Sequence, residues 1–551
     1  MHTHTCTHTQ AKSYYIQSSE RIDNYAFTAY ANGHKQFGAH NLSLTLGTQY
    51  EFKEYRQFGV KATNIQEGLE VVNGTGDITI PYNSKYQTAI MSYFGRFNYD
   101  YLGRYLLEFN GRYDGSSKFL PENRWDFFWG VSAGWRINEE KFMKNVKWIN
   151  NLKLRASYAE VGNQSGIGNY DGVQLYNVNS NTGAYIGTGL ISYIATNGTF
   201  ASKTRSWERI KNYNLALDFG LKLAPGHQIN GTVEIFQKRN DNMLVSVTLP
   251  GTLGDSAPSA NVGKFKDYGW EGQITYNGTV GQVDYHVGGT LTFARNKLTD
   301  YEGTTVKSPG YTSNMVGYGI SSLFGLRFAG KIQNEEQLAA YKALYFENNG
   351  IGMPSNLRVG DNMYCDENGD GRLDENDLIY LGSQNPELSY SFNFGASWKG
   401  LDLNVVFQGA ANRFIYRGYA TNWVVPYRGL YMNNLNSSIG NVWTTENPDA
   451  YYAPYTNDAN INQYNYQASS LTAQDGRYLR LKNITIGYSF PKKWLQPLRI
   501  IEALRVYITG TDLWETTRIK DGWDPESKIA TSGTSLYPFT RNYTFGMSVT
   551  F

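Results

Sequence analysis

One pattern constrains this chain more than any other: apolar and polar residues alternate one for one, in strip after strip. From 212 to 223, Tyr213, Leu215, Leu217, Phe219, Leu221 and Leu223 occupy one parity, and Asn212, Asn214, Ala216, Asp218, Gly220 and Lys222 the other. Successive side chains of a strand point to opposite sides, so the strip has one greasy and one wet face. Met91, Tyr93, Phe97, Tyr99 and Tyr101 alternate in the same way with Ser92, Arg96, Asn98 and Asp100. Tyr105, Leu107, Phe109 and Tyr113 alternate with Glu108, Asn110, Arg112 and Asp114, and Phe127 to Ile137 repeats the scheme. Further strips include 42–50, 152–158, 285–293, 390–398, 401–407, 484–490 and 504–508, among roughly fifteen candidate strands in all. Many run about 9–12 residues, the length a tilted strand needs to cross a bilayer, whereas soluble strands average about 5–6.

The connections alternate too. Leu102-Gly103-Arg104, Lys399-Gly400 and the turn at Pro225-Gly226 are short, while the stretches near 162–208, 297–386 and 411–475 are long and rich in Asn, Gly, Ser and Tyr. Short turns at one end and long loops at the other are the arrangement of outer-membrane barrels. The last residues, Tyr543-Thr-Phe545-Gly-Met547-Ser-Val549-Thr-Phe551, keep the alternation to a terminal aromatic residue. This end is expected to form the final strand and to be read by the outer-membrane barrel insertion machinery. Composition agrees: 44 Tyr, 27 Phe and 12 Trp make 15% of the chain aromatic, and only 18% is charged. Amphipathic rings suit a water–lipid boundary.

Other classes are disfavoured. A net charge of +2 gives no nucleic-acid-binding surface. Cys6 and Cys365 are the two cysteines, and no structural disulfide is expected of them. No run of about 18 apolar residues marks a transmembrane helix. The mean hydropathy is negative, which a wide barrel allows because every second residue is wet. The opening Met1-His2-Thr3-His4-Thr5-Cys6-Thr7-His8-Thr9 has neither the basic nor the apolar region of a secretory signal. Residues 1–20 are expected to be a disordered or spurious tail.

Several blocks, in order, resemble one family. These are Arg112-Tyr113-Asp114-Gly115-Ser116-Ser117-Lys118-Phe119, then Asn261-Val262-Gly263 followed by Gly269-Trp270-Glu271, then Trp443-Thr444-Thr445-Glu446-Asn447-Pro448-Asp449-Ala450, and Arg480-Leu481-Lys482-Asn483-Ile484-Thr485-Ile486-Gly487-Tyr488. The chain is similar there to the RagA/SusC-type TonB-linked transporters of the Gram-negative outer membrane. The resemblance implies an all-β transmembrane antiparallel barrel of about 22 strands. It further implies an N-terminal plug through which the TonB complex acts, and a surface lipoprotein lid of the SusD type. Residues 21–551 are expected to supply an incomplete wall of roughly 15 strands with long extracellular loops and no plug domain. The function implied is the barrel wall of an importer for oligosaccharides or peptides. A passive porin-like channel is the alternative, and an outer-membrane barrel enzyme a weaker one; no enzymatic activity is expected.

One compact motif carries chemistry of its own. Asp366-Glu367-Asn368-Gly369-Asp370-Gly371-Arg372-Leu373-Asp374-Glu375-Asn376-Asp377 has the spacing of an EF-hand loop. Asp366, Asn368, Asp370, Asp374 and Asp377 fall at ligand positions, Arg372 would offer its carbonyl, and Gly371 sits at the sharp turn. A structural Ca²⁺ is expected, with Asp in place of Glu at position twelve shortening the closing arm. Only His34, His40, His227 and His286 lie in the body. His286, beside Thr290 and Thr292, is expected on a wet face with no catalytic partners. Arg96, Arg112, Arg136 and Arg155 are expected to share the wet face with Asp100, Glu108 and Asp114, as an ion-pair lattice or a polar path.

Overall fold

The computed structural model describes residues 13–65, 71–72, 76–179, 185–186, 189–190, 193–196, 199–247, 252, 256–302, 307–344, 353–417, 438–498, 500–519, 524–526 and 539–551. Its dominant element is a 15-stranded sheet in which the strands follow one another in chain order. They are β1 (Tyr14–Phe37), β2 (His40–Thr63), β3 (Ile78–Tyr101), β4 (Tyr105–Ser116), β5 (Trp125–Arg136), β6 (Ile149–Asn163), β7 (Glu208–Ala224), β8 (His227–Val245), β9 (Ala260–Val280), β10 (Val283–Asp300), β11 (Leu388–Trp398), β12 (Leu401–Ala411), β13 (Tyr478–Ser489), β14 (Ala503–Thr517) and β15 (Asn542–Thr550). The strand number matches the expectation. So does the C-terminal strand, which pairs with β14 from Thr511↔Asn542 to Ala503↔Thr550.

Two expectations need correction. The tail does not extend to residue 20: β1 begins at Tyr14, and its register with β2 is unbroken from Tyr14↔Thr63 to Phe37↔His40. The long partner strand supplies hydrogen bonds there, and Lys61 lies 4.3 Å from the centroid of the Tyr14 ring. Residues 1–12 lie outside the described set. Second, the expected length of about 9–12 residues holds for β4, β5, β11, β12, β13 and β15 but not for β1, β2 and β3, which have 24 residues each, far more than a membrane crossing takes. Their outer stretches, such as Lys53, Glu54, Arg56 and Gln57, are polar on both parities and held by the ladder.

Sharp turns join the strands at one end. Lys399 and Gly400, at φ of 49° and 93°, link β11 to β12 with both central residues left-handed, the geometry whose twist matches a hairpin. Long segments at the other end carry their own structure. These are 164–207, 301–387 and 412–477, the last two including the helices Glu335–Leu344 and Ala459–Asn465.

The chain divides into two compact units. The first comprises residues 1–134, 157–212 and 240–263, with a small core of Phe119, Phe128, Ile167 and Trp207. The second comprises 135–156, 213–239 and 264–551. Its core lies in the long segments: Phe324, Leu326, Ile332, Leu338, Tyr341, Leu357, Tyr364, Leu373, Leu378, Ile461 and Tyr464.

Candidate functional site

The sheet is inverted relative to a soluble protein. Tyr213, Leu215 and Leu217 are exposed, while Ala216 between them is 2% exposed. The same holds for Met91, Tyr93 and Phe97 around fully buried Ser92, and Phe545 on β15 is 79% exposed. An exposed apolar surface on this scale marks contact with lipid or with a partner. Aromatic residues edge it. In the first unit Tyr101 and Tyr105 stack near the short turns, and eight positions further along β4 Tyr113 stacks on Trp125 at 5.0 Å. In the second unit Tyr285 pairs with Tyr276 near the turns, and eight positions along β10 Phe293 stacks on Trp270. Eight residues span about 26 Å along a strand, close to the height of an outer-membrane apolar band edged by two aromatic girdles.

The opposite parity carries ion pairs. In the second unit Arg155 bridges Asp218 and Glu234, each at 3.1 Å. In the first, Arg112 holds Asp114 at 2.6 Å and Ser92 at 2.7 Å, and Arg96 reaches Glu108 at 4.0 Å. Asp100 instead accepts from the Gly103 backbone N–H at 2.7 Å, closing the turn after β3. The lattice expected from the sequence is present, with Glu234 and Asp218 as members the sequence reading did not name. His286 lies over the bare backbone of Gly395, where a Cβ would meet the ring at 2.1 Å. The histidine fills a gap in the neighbouring strand.

A buried cluster escaped the sequence reading. Arg480 on β13 is fully buried and binds Glu515, Asp524 at 2.6 Å and Glu526 at 2.5 Å, with the Phe539 ring 4.2 Å away. It fastens the Asp524–Glu526 stretch across β13 and β14. Alternation does not point to it: a register shift between Leu481 and Asn483 gives Arg480 the same even parity as exposed Ile486, and its acidic partners lie 35 to 46 residues further on.

The acidic loop has a partly gathered donor set. Asp366 accepts from the backbone N–H groups of Gly369 at 2.6 Å and Gly371 at 2.7 Å. Asp377, fully buried, accepts from Glu367 at 2.8 Å and Asp374 at 2.8 Å. Leu373 anchors the loop in the core at 2% exposure, and Gly371 takes φ of 79°. Asp366 and Asp377 sense each other directly. Burial pushes the Asp377 carboxyl up, and the charge of Asp366 adds to the rise. Burial opposes ionisation at Asp366 too, but the N–H groups of Gly371 and Gly369 outweigh it and hold that carboxyl below its usual range. Asn368 and Asp370 bond to each other at 3.0 Å. Asp370 also accepts from the Arg372 backbone N–H at 2.9 Å, and Asp374 caps the 3₁₀ turn Glu375–Asp377. Among the described residues no three His, Cys, Asp or Glu side chains converge as a metal centre. A hard cation takes six to eight oxygens; here Asn368, Asp370 and Asp374 bond to one another or to the backbone, so their side chains would have to turn inward to join Asp366 and Asp377.

Fold and faces together define an outer-membrane β-barrel wall. Residues 3–356 match the family described as TonB dependent receptor-like, beta-barrel, and the chain belongs to that family. It is 29% identical over 528 residues to TonB-dependent receptor P26 of Formosa agariphila, covering 91% of this chain and 50% of that one. It is 27% identical over 556 residues to TonB-dependent receptor SusC of Bacteroides thetaiotaomicron, covering 96% and 50%. The chain thus spans about half the length of the curated relatives it matches. Its fold is similar to the structure of the RagAB peptide transporter, with a TM-score of 0.78 at 22% identity over 97% of this chain and 56% of that one. The resemblance to RagA/SusC-type receptors read from the sequence therefore holds, and the protein is placed in the outer membrane of a Gram-negative bacterium.

Proposed function

We propose that this chain forms the wall of a TonB-dependent outer-membrane importer that takes up oligosaccharides or peptides beneath a SusD-type surface lipoprotein. The observation that carries the reading is the two-faced sheet: bare side chains at membrane-spanning length on one parity, and an ion-pair lattice of Arg155, Asp218 and Glu234 on the other. The names of the relatives, which include a receptor called SusC and a peptide transporter, support the class of cargo. Energy coupling through TonB separates this reading from a passive pore. In cells that make the protein, uptake of labelled malto-oligosaccharides or peptides should saturate, depend on the gene and cease when an uncoupler collapses the proton gradient. Gene-dependent uptake that persists after uncoupling would favour the porin-like alternative.

The loop Asp366 to Asp377 is proposed to hold a structural calcium ion through Asp366, Asn368, Asp370, the Arg372 carbonyl, Asp374 and Asp377. Support comes from the approach of Asp366 to Asp377 and from the anchoring of Leu373. An ion there would offset the burial and the charge of Asp366 that hold the Asp377 carboxyl up. Calorimetry of calcium into the detergent-solubilised protein should give heat that Asp370→Ala weakens; equal heats from both would remove the ion from the account.

A further inference from the structure

The exposed apolar face gives way to cations at its long-loop end. On β9 and β10, Trp270 stands opposite Phe293 on the same face as exposed Ile274, Val287 and Leu291. Two positions further toward the long loops, that face carries the pair Tyr268–Arg295, and two further the pair Lys266–Lys297. On the neighbouring strand β8, the parity of exposed Val233 and Ile235 leads to exposed Arg239.

Arg295 is committed. It donates to both carboxylate oxygens of Glu387, at 2.8 and 2.9 Å, and lies over the Phe293 ring. Lys266, Lys297 and Arg239 have no carboxylate partner among the described residues, and the Lys266 ammonium rests 4.8 Å from the centroid of the Tyr268 ring. Like charges directly opposite one another on a sheet face destabilise the pairing. A cross-strand lysine pair flanked by arginines calls for an anion from outside the chain. Beside it lies a cavity of about 500 Å³ whose lining includes Tyr268, Arg295, Lys297, Tyr318 and Tyr380.

We propose that this cluster binds the phosphorylated headgroup of an outer-leaflet glycolipid. Depth and face together select the ligand. Girdle aromatics sit at headgroup level, so Trp270 and Phe293 mark the boundary, and the cations begin one step beyond it at the end where long loops lie outside the cell. They stand on the lipid-facing parity, away from the ion-pair lattice. Acyl chains lie along Ile274, Val287 and Leu291 while a phosphate draws Lys266, Lys297 and Arg239 together. A soluble anion would make no use of the apolar strip below. The inference rests on the orientation of the sheet in the membrane and is independent of which nutrient is carried.

Native mass spectrometry of the detergent-solubilised protein tests it. The probes are a diphosphorylated glucosamine-disaccharide lipid, the same lipid without phosphates, and inorganic phosphate. The protein should retain the phosphorylated lipid about tenfold more than its dephosphorylated counterpart, given the surface attraction of two or more cations. Lys266→Gln with Lys297→Gln should abolish that preference, Lys266→Arg with Lys297→Arg should keep it, and inorganic phosphate at equal concentration should not displace the lipid. Heat-modifiable mobility reports whether each variant is folded; if the glutamine pair fails to fold, the comparison of lipids on the unaltered protein and the arginine pair still decides. Equal retention of both lipids, an unchanged preference in the folded glutamine pair, or displacement by inorganic phosphate would overturn the proposal.

Discussion

The strand segment Tyr213–Leu223 and the long-segment core around Phe324 use the same kinds of apolar residue and place them oppositely. Leu215 and Leu217 stand exposed on a regular sheet, whereas Phe324, Leu326 and Ile332 are fully buried among loops, a short helix and small sheets. In the core, the apolar groups leave water by packing on one another. On the strand, they leave water only when a bilayer covers them. One chain is therefore built for two solvents, and each region should respond to substitutions that the other ignores.

The largest contrast is expected from truncating a ring. Phe324→Ala empties a fully buried site and should cost about 3–5 kcal/mol, seen as protease cleavage within 301–387. Phe545→Ala in detergent should fall within about 0.5 kcal/mol. Similar losses at both sites would erase the distinction. A charge sharpens the comparison from the other side. Leu217→Arg should cost about 2–4 kcal/mol in a bilayer, read from urea titration of protein in lipid vesicles. A cost within about 0.5 kcal/mol would mean that Leu217 faces water.

A smaller effect belongs to the loop core alone. Lys331 is buried and donates to Asn362 at 2.8 Å. Burial, offset in part by Asp361, brings its ammonium down to about 8. Below that pH the folded chain bears the full penalty of a buried charge. Between about 8 and the ordinary lysine value near 10.4, the unfolded chain holds a proton that the folded chain releases, so stability should rise with pH by about 3 kcal/mol in total. Lys331→Met should flatten that rise, measured by denaturation of the loop region at pH 7.5 and 9.5; parallel slopes in both proteins would refute it.

What could be read from the sequence followed periodicity. Tyr213 to Leu223 declares a strand, its faces and its solvent in a dozen letters, and Lys399-Gly400 declares the turn. Where period two fails, the sequence is silent. In the outer halves of β1 to β3 polar and apolar residues are mixed on both parities, so no period-two strip announces them and the ladder keeps them extended. The loop core joins Phe324 to Tyr464 at spacings that no helix or strand imposes. The acidic loop was legible as a motif because its candidate donors fall within twelve consecutive residues, whereas Arg480 needs Asp524 and Glu526, which only the fold brings near. Of the long-loop aromatic residues Trp423, Trp443 and Tyr451, which could stack on sugars or simply pack the loops, Trp423 lies outside the described residues.

The central claim is that the bare parity of the sheet faces lipid. Single cysteines placed at 213, 214, 215, 216, 217 and 218 on the Cys6→Ser, Cys365→Ser background, carrying a fluorophore in vesicles with a brominated-lipid quencher, read that orientation directly. The account predicts strong quenching at 213, 215 and 217 and weak quenching at 214, 216 and 218. Uniform quenching across the six positions, or alternation in the opposite phase, would contradict it.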